Sequence, residues 1–316
     1  MIRTSNIFAK AAGLILISVL LASCVKSQTV PDGEPREIAM KTVGSAMLKA
    51  PADYTGGPFG VISYISETAP GTNWTGSATQ YFAGKFVDKG SDIWGGDPPR
   101  YWPLGNKYSL IFAGFSPYVK ADGITEVAAT FDYAAKTLSF VDYEVESSGT
   151  PQSDLMFFMP KTDATGNYFV GTNQNDDAAM SVMFRHALSQ VVFNITVKSG
   201  DEDLVEVGNV VLNDVVFRGT CTVTSGNIVT WSRSGEDAYR RNETVASEKP
   251  VMIIPGMSYP MDLSYDLKLN GKTFTETVRL DVDEIEYASG YRYTYDIVIG
   301  ASAITIDTDF SPWTDR

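Results

Sequence analysis

Few residues in this chain are equipped for covalent or acid–base chemistry: two cysteines, Cys24 and Cys221, and a single histidine, His186, beside 38 carboxylates. One imidazole permits at most one Ser-His-Asp or Cys-His arrangement and removes most metal sites. His186 has Phe184 and Leu188 at strand spacing, which reads more simply as a structural ring than as a base. Cys221 lies in Gly219-Thr220-Cys221-Thr222-Val223, where alternation puts it on the face of Val223. A buried thiol is the plain reading, since a nucleophile needs a base or a cation beside it. No Gly-rich phosphate loop, HExxH, EF-hand loop or paired-cysteine spacing occurs. Enzyme chemistry would fall to carboxylates alone, as in a glycosidase whose pair stands ~5–9.5 Å apart across a cleft. Nothing in the sequence sets such a pair, so no catalytic, cofactor-binding or metal-ligating residue is assigned and a non-enzyme is expected.

Cys24 sits differently. It follows Leu21-Ala22-Ser23 at the end of an apolar run from Ala11 to Leu21, itself preceded by Arg3 and Lys10. A basic start, a short apolar core and small residues before a cut describe a secretory signal over residues 1–23. The run is well below the ~20 residues a membrane-spanning helix needs. Leu-Ala-Ser-Cys also resembles the bacterial lipobox, which implies diacylation of the Cys24 thiol, cleavage before it and acylation of the new amino terminus. Two or more chains, at ~0.8 kcal/mol per buried methylene, suffice for stable anchoring where one does not. The expectation is an outer-membrane lipoprotein precursor. Only Cys221 then remains, so no intramolecular disulfide can form and stability must come from packing.

Removing residues 1–23 leaves 293 of 316, enough for two domains or one large β-sandwich. With 44% hydrophobic residues the chain can bury a substantial core. Loss of Arg3 and Lys10 takes the net charge from −13 to −15, which argues against nucleic acid and anionic membrane surfaces as partners.

The elements that must carry any function read with period two. Val191, Phe193, Ile195 and Val197 share one face; Met261, Leu263, Tyr265, Leu267 and Leu269 share another and run into Asn270-Gly271, then Phe274, Val278 and Leu280. That is a hairpin signature. Tyr291, Tyr293, Tyr295, Ile297 and Ile299 alternate likewise. Helical signals are confined to single turns at 281–288 and 128–135. Strands with turn signals every 8 to 12 residues indicate antiparallel sandwiches. The stretch 27–36 is polar with two prolines and reads as a tether. A second loop-like stretch, 163–177, marks a domain boundary.

Several segments together resemble the fimbrillin family, the subunits of type V pili of Bacteroides-like bacteria. They are Tyr101-Trp102-Pro103, the run from Tyr108 to Pro117, Asp154-Leu155-Met156, the run from Phe184 to Gln190, Gly290-Tyr291-Arg292-Tyr293, and Trp313 near the carboxyl end. Three departures stand out: Gln190 occupies a position where the family more often has a basic residue, the segment from Phe112 to Phe115 is more often tyrosine-rich, and Val25-Lys26-Ser27-Gln28 does not match acid-rich surface-export signals.

The resemblance implies an all-β fold of two tandem transthyretin-like antiparallel β-sandwich domains. The expected division is a signal over 1–23, a tether over 24–36, an N-terminal sandwich over 37–183 and a C-terminal sandwich over 184–316. It further implies a structural or adhesive subunit of a surface fimbrium, delivered as a lipoprotein and assembled head to tail with other pilin subunits after a trypsin-like maturation protease removes the first strand. Here that strand is 37–43, with Ile38 and Met40 on one face and Lys41 opposite. Cleavage is expected between Lys49 and Ala50, with Arg36 the runner-up, against the plain reading of Lys49 as a surface lysine. The candidate donor strand is 303–313, presenting Ile304, Ile306, Phe310 and Trp313; the alternative is that it packs at home. A competing function is a glycan-binding surface lipoprotein, with Trp74, Trp94, Trp102 and Trp231 as stacking platforms, although such rings are more simply core. A host or bacterial surface ligand fits either reading.

Overall fold

The computed structural model describes residues 35–43, 56–67, 77–104, 107–162, 179–232, 239–256, 261–280 and 286–313. Cys24, Lys49, Ala50, Trp74 and the boundary stretch 163–177 lie outside them. The described residues form twenty strands and no helix. In chain order these are β1 (Ala39–Thr42), β2 (Phe59–Ser66), β3 (Thr79–Asp88), β4 (Ile93–Asp97), β5 (Ser109–Ser116), β6 (Thr130–Asp132), β7 (Thr137–Glu144), β8 (Met156–Phe158), β9 (Met180–Val182) and β10 (Arg185–His186). They continue with β11 (Ser189–Val197), β12 (Val205–Val216), β13 (Arg218–Thr224), β14 (Ile228–Ser232), β15 (Arg240–Thr244), β16 (Pro250–Ile253), β17 (Asp262–Leu269), β18 (Lys272–Arg279), β19 (Tyr291–Ile299) and β20 (Ile304–Pro312). Residues 128–135, read from sequence as a helical turn, are β6 and the turn into β7, where the Asp132 carboxylate accepts from Ala135 N at 2.8 Å. An aspartate bonding its own turn competes with helix formation at that point.

The first sheet has eight strands in the order β10-β8-β5-β2-β3-β4-β1-β9. Its two end strands are joined by Met183 and Phe184 alone, and a chain reaches at most ~3.6 Å per residue, so the two edges stand within about 11 Å. The sheet therefore rolls nearly closed. Phe184 fills the seam, edge-on to Phe59 at 5.2 Å and to Phe158 at 5.3 Å. Inside the roll Ile38, Met40, Phe59, Val61, Phe86, Trp94, Trp102, Leu110 and Phe112 form one core. Strand β5 is buried at every position because its other face, with Ile111, Ala113 and Phe115, belongs to a second core. Glycines let aromatic rings cross this crowded sheet. A Cβ on Gly60 would stand 2.1 Å from the Phe115 ring, and one on Gly114 the same distance from Phe158.

Two four-stranded sheets, β16-β11-β19-β20 and β15-β12-β17-β18, derive wholly from residues 189–312. In the first, β11 and β19 run parallel. A parallel pair requires a crossover, and here it runs through β12 to β18, which includes every strand of the other sheet. The fourth sheet, β14-β13-β7-β6, does not sort by the expected boundary at 183/184: β6 and β7 precede it, β13 and β14 follow it. It contributes Leu138, Phe140, Cys221 and Val223 to the second core, which also takes Val191, Phe193, Leu263, Tyr295 and Ile297 from the later sheets. The predicted alternation holds in β13, β17 and β19, with Cys221 on the face of Val223 and both fully buried.

Three register shifts interrupt the ladders of β12 and β13, at Asn209, Asp214 and Asp142, each with positive φ (47°, 55° and 52°). Asn and Asp are the side-chain-bearing residues that tolerate this region best. Each bulge is tied down: Asn209 Nδ2 donates to Asp266 (2.6 Å), Asn242 Oδ1 accepts from Asp214 N (3.1 Å) and Thr220 Oγ1 accepts from Asp142 N (3.2 Å).

Candidate functional site

The two chain ends singled out by the sequence occupy unlike positions. Strand β1 is internal: it pairs antiparallel with β4 (Ala39 to Gly95, Lys41 to Ile93) and parallel with β9 (Met40 to Met180, Thr42 to Val182). Backbone bonds extend the pairing at both ends, from Trp102 N to Arg36 O (2.8 Å), Ile38 N to Arg100 O (2.7 Å) and Val43 N to Val182 O (2.9 Å). Ile38 and Met40 are fully buried, Thr42 nearly so, and Lys41 faces solvent. Loss of residues 36–43 would therefore open a slot between β4 and β9, with unpaired ladder groups on both walls and side-chain pockets at every second position. A cut after Arg36 would leave β1 attached to the body; one after Lys49 would separate it.

Strand β20 is an edge. It pairs only with β19, antiparallel from Tyr291–Pro312 to Ile299–Ile304. Ile304 and Ile306 are half-buried against the second core, whereas Phe310 is 63% exposed although it stacks on Tyr293 at 5.9 Å. Trp313 is the anchor. It is 5% exposed, its N–H donates to Gly290 O at 2.7 Å, and its ring stacks on His186 with centroids 3.9 Å apart and planes 12° from parallel.

That contact draws His186 into a junction. Its Nδ1 lies 2.6 Å from Asp154 Oδ2, Ala187 N donates to Leu155 O, and Ala187 O accepts from Trp231 Nε1 (2.9 Å) and Ser289 Oγ (3.1 Å). Residues 186–188 thus tie the rolled sheet, the mixed sheet and the carboxyl end together. The histidine is structural, as read from its apolar neighbours. Nothing in the sequence pairs this ring with Trp313, 127 positions downstream. Cys221 is buried as expected, and burial raises its thiol far above the reactive range.

A second junction was not legible in the sequence. Glu243, in the polar run Arg240-Arg241-Asn242-Glu243-Thr244, is only 1% exposed. One oxygen accepts from Ser148 N (2.7 Å), Ser148 Oγ (2.7 Å) and Ser147 Oγ (3.2 Å), and the other pairs with Arg241. Arg241 in turn donates to Val145 O at 2.8 Å and lies over the Phe217 ring. Buried charge is tolerated only with such saturation.

Of the tryptophans considered as glycan platforms, the three among the described residues do not form one. Trp94 and Trp102 are inside the rolled sheet, and Trp231 is half-buried, edge-on to Tyr143. Among the described residues no group of three or more His, Cys, Asp or Glu could hold a metal ion.

The model of a family described as fimbrillin-like matches residues 55–313. No curated protein matches the sequence. Among solved structures, a presumed cell adhesion protein from Bacteroides uniformis is similar with a TM-score of 0.56 at 15% identity, over 90% of this chain and 100% of that one. A fimbrial protein from Bacteroides vulgatus gives 0.56 at 17% identity, over 88% and 100%. A presumed cell adhesion protein from Bacteroides ovatus gives 0.52 at 17%, over 90% and 99%. At these identities the likeness concerns the fold.

Proposed function

The chain belongs to the fimbrillin-like family, whose members are structural proteins rather than enzymes, and from that premise we propose that it is a pilus subunit assembled by exchange of β1 for the β20 segment of another copy. One observation carries this reading. The strand inside the slot reads Ile38-Ala39-Met40-Lys41-Thr42 and the edge strand reads Ile304-Thr305-Ile306-Asp307-Thr308. Both place large apolar residues at the first and third positions and threonine at the fifth, on one face of an extended chain. Ile38, Met40 and Thr42 are the side chains that fill the slot's pockets. A donor segment entering in the same direction offers Ile304, Ile306 and Thr308 to those pockets.

The physics is β-strand addition: main-chain bonds supply affinity and alternate pockets supply specificity. Because donor and slot lie on different parts of one molecule, each added copy presents a fresh end, and a head-to-tail contact that does not close yields a filament. Cleavage after Lys49 would open the slot and free the subunit from the lipid at Cys24, so that acylation governs delivery and the cut governs timing. Arg36 suits this less well, since its carbonyl is bound to Trp102 and a cut there keeps β1 in place. The acceptor slot, between β4 and β9, would lie within 37–183 and the donor strand β20 within 184–316.

The test is limited trypsin treatment of the full chain followed by electron microscopy and amino-terminal sequencing. Filaments whose subunits begin at Ala50 are expected, and Ile304→Asp together with Ile306→Asp should stop elongation. Filaments built from subunits that retain residues 37–43, or that form despite both aspartates, would overturn the proposal.

A further inference from the structure

Another edge strand, β18, has a property that head-to-tail assembly does not use. It ends its sheet, pairing only with β17, and five consecutive residues, Lys272-Thr273-Phe274-Thr275-Glu276, are all exposed, Phe274 to 47%. Soluble sheets blunt such edges with proline, bulges, a covering element or charged side chains. Among the described residues β18 has no proline, bulge or covering element; it carries the charges Lys272, Glu276 and Arg279, and neither Lys272 nor Glu276 has an ion-pair partner there.

Its backbone restricts what can pair with it. Asn270 (φ 51°) and Gly271 (φ 77°) form a two-residue turn with both residues left-handed, the type I′ hairpin. The turn's own hydrogen bond makes Leu269–Lys272 a bonded pair. Bonded and unbonded pairs alternate along an antiparallel ladder, so Lys272, Phe274, Glu276 and Val278 bond inward to β17. Thr273, Thr275, Thr277 and Arg279 turn their N–H and C=O groups to the open edge.

A second copy related by a twofold axis would approach antiparallel. Its outward groups meet outward groups only if the axis passes through a residue rather than between two. An axis through Glu276 sets two carboxylates face to face. An axis through Thr275 leaves Lys272 opposite Val278 and Glu276 opposite Phe274. An axis through Phe274 matches everything: Lys272 faces Glu276 twice, Phe274 faces itself, and Thr273 faces Thr275 twice with both of their N–H···O bonds exchanged. Opposite charges, aromatic pairs and threonine pairs are the favourable cross-strand combinations. Phe274 also shares the inner face of Leu267 and Tyr265, so the paired rings would cap the open end of the core.

We propose that β18 is a self-recognition edge, through which two copies of this chain join in an isologous dimer with the twofold axis at Phe274. The contact continues one four-stranded sheet into its twin and is lateral, separate from the slot at β1 and the donor at β20. Its small size places it among weak, concentration-dependent associations.

Sedimentation velocity of the full chain tests this, with Cys24→Ser present so that acylation cannot drive association. The wild-type edge should dimerise as concentration rises. Lys272→Glu alone and Glu276→Lys alone should each weaken the dimer by about tenfold or more. An equimolar mixture of the two variants should recover it, because every 272–276 pair across the axis is then of opposite sign. Phe274→Cys should cross-link to its own copy under mild oxidation, as an unbonded pair brings Cβ atoms within ~5.5 Å, while Phe310→Cys should not. A wild-type chain that stays monomeric up to about 1 mM, single variants that dimerise normally, or a mixture that stays monomeric would each overturn the proposal. None of these outcomes bears on strand exchange, since β1 stays in place throughout.

Discussion

Replacing Trp313 by alanine should loosen β20 without unfolding the rest. Beyond its ladder to β19, this strand is held by two half-buried isoleucines, by the stack of Phe310 on Tyr293 and by Trp313, and it has no second neighbouring strand. A buried tryptophan removes about 150–250 Å² from water, and truncating one to alanine costs about 3–5 kcal/mol. The His186 stack and the burial of the ring both vanish, whereas the N–H to Gly290 O bond can survive. If β20 opens as a separate unit, that cost appears in its local opening equilibrium and not in global stability. Hydrogen exchange of a peptide spanning 303–313 should then accelerate by about two to four orders of magnitude, at ~1.4 kcal/mol per decade. Amides of β11 and the β11-facing side of β19 should keep their protection. Mass spectrometry of exchanged, quenched and digested protein reads both at once. Unchanged protection over 304–312 would show that Trp313 is no anchor. Equal acceleration in β11 and β20 would show that the strand leaves only when the whole core does, and the idea of a releasable carboxyl end would fail with it.

Removing the buried carboxylate by Glu243→Ala should cost about 3–5 kcal/mol, read as a lowered urea midpoint, because Arg241 and the serines at 147 and 148 lose a shared partner; a loss below about 1 kcal/mol would mean that the knot contributes nothing beyond packing. The Asp122 carboxyl, held down to about 2 by the Thr125 hydroxyl and then by the amides of Thr125 and Ile124, should titrate near that value by NMR. Since its folded value is depressed, its contribution is present above the ordinary 3.8 and is lost as pH falls through about 2. Thr125→Val should move the midpoint upward, and an unmoved midpoint would refute the assigned cause.

Local signals in the sequence were strong where one strand face is buried and the other wet. Asn270-Gly271 located the β17–β18 hairpin, and the alternation in β19 and β13 placed Tyr293, Tyr295, Ile297 and Cys221 inside. Ile38 and Met40 share one buried face with Lys41 outside, as their alternation predicts. What could not be read was which strands meet. The run from Ser109 to Ser116 does not alternate because both of its faces are buried, between two cores. The pairing of β7 with β13, across the expected boundary, depends on register shifts at Asp142 that no neighbouring residue announces. Glu243 looked like one charge in a solvated strand because the serines that bury it lie 95 residues upstream. The tryptophans offered platforms on composition alone, and burial reassigned three of them.

The parallel pairing of β11 with β19 joins residues 102 positions apart, as in the bond from Asn194 to Asp296. Bringing such distant segments together carries the loop-closure entropy of everything between. Strand β20 bears none of that cost, since it follows β19 closely in sequence and adds to it at the outer edge. β19 keeps β11 as its partner whether or not β20 is present. Release of a segment held only at that rim would leave the long-range closure of the sheet intact.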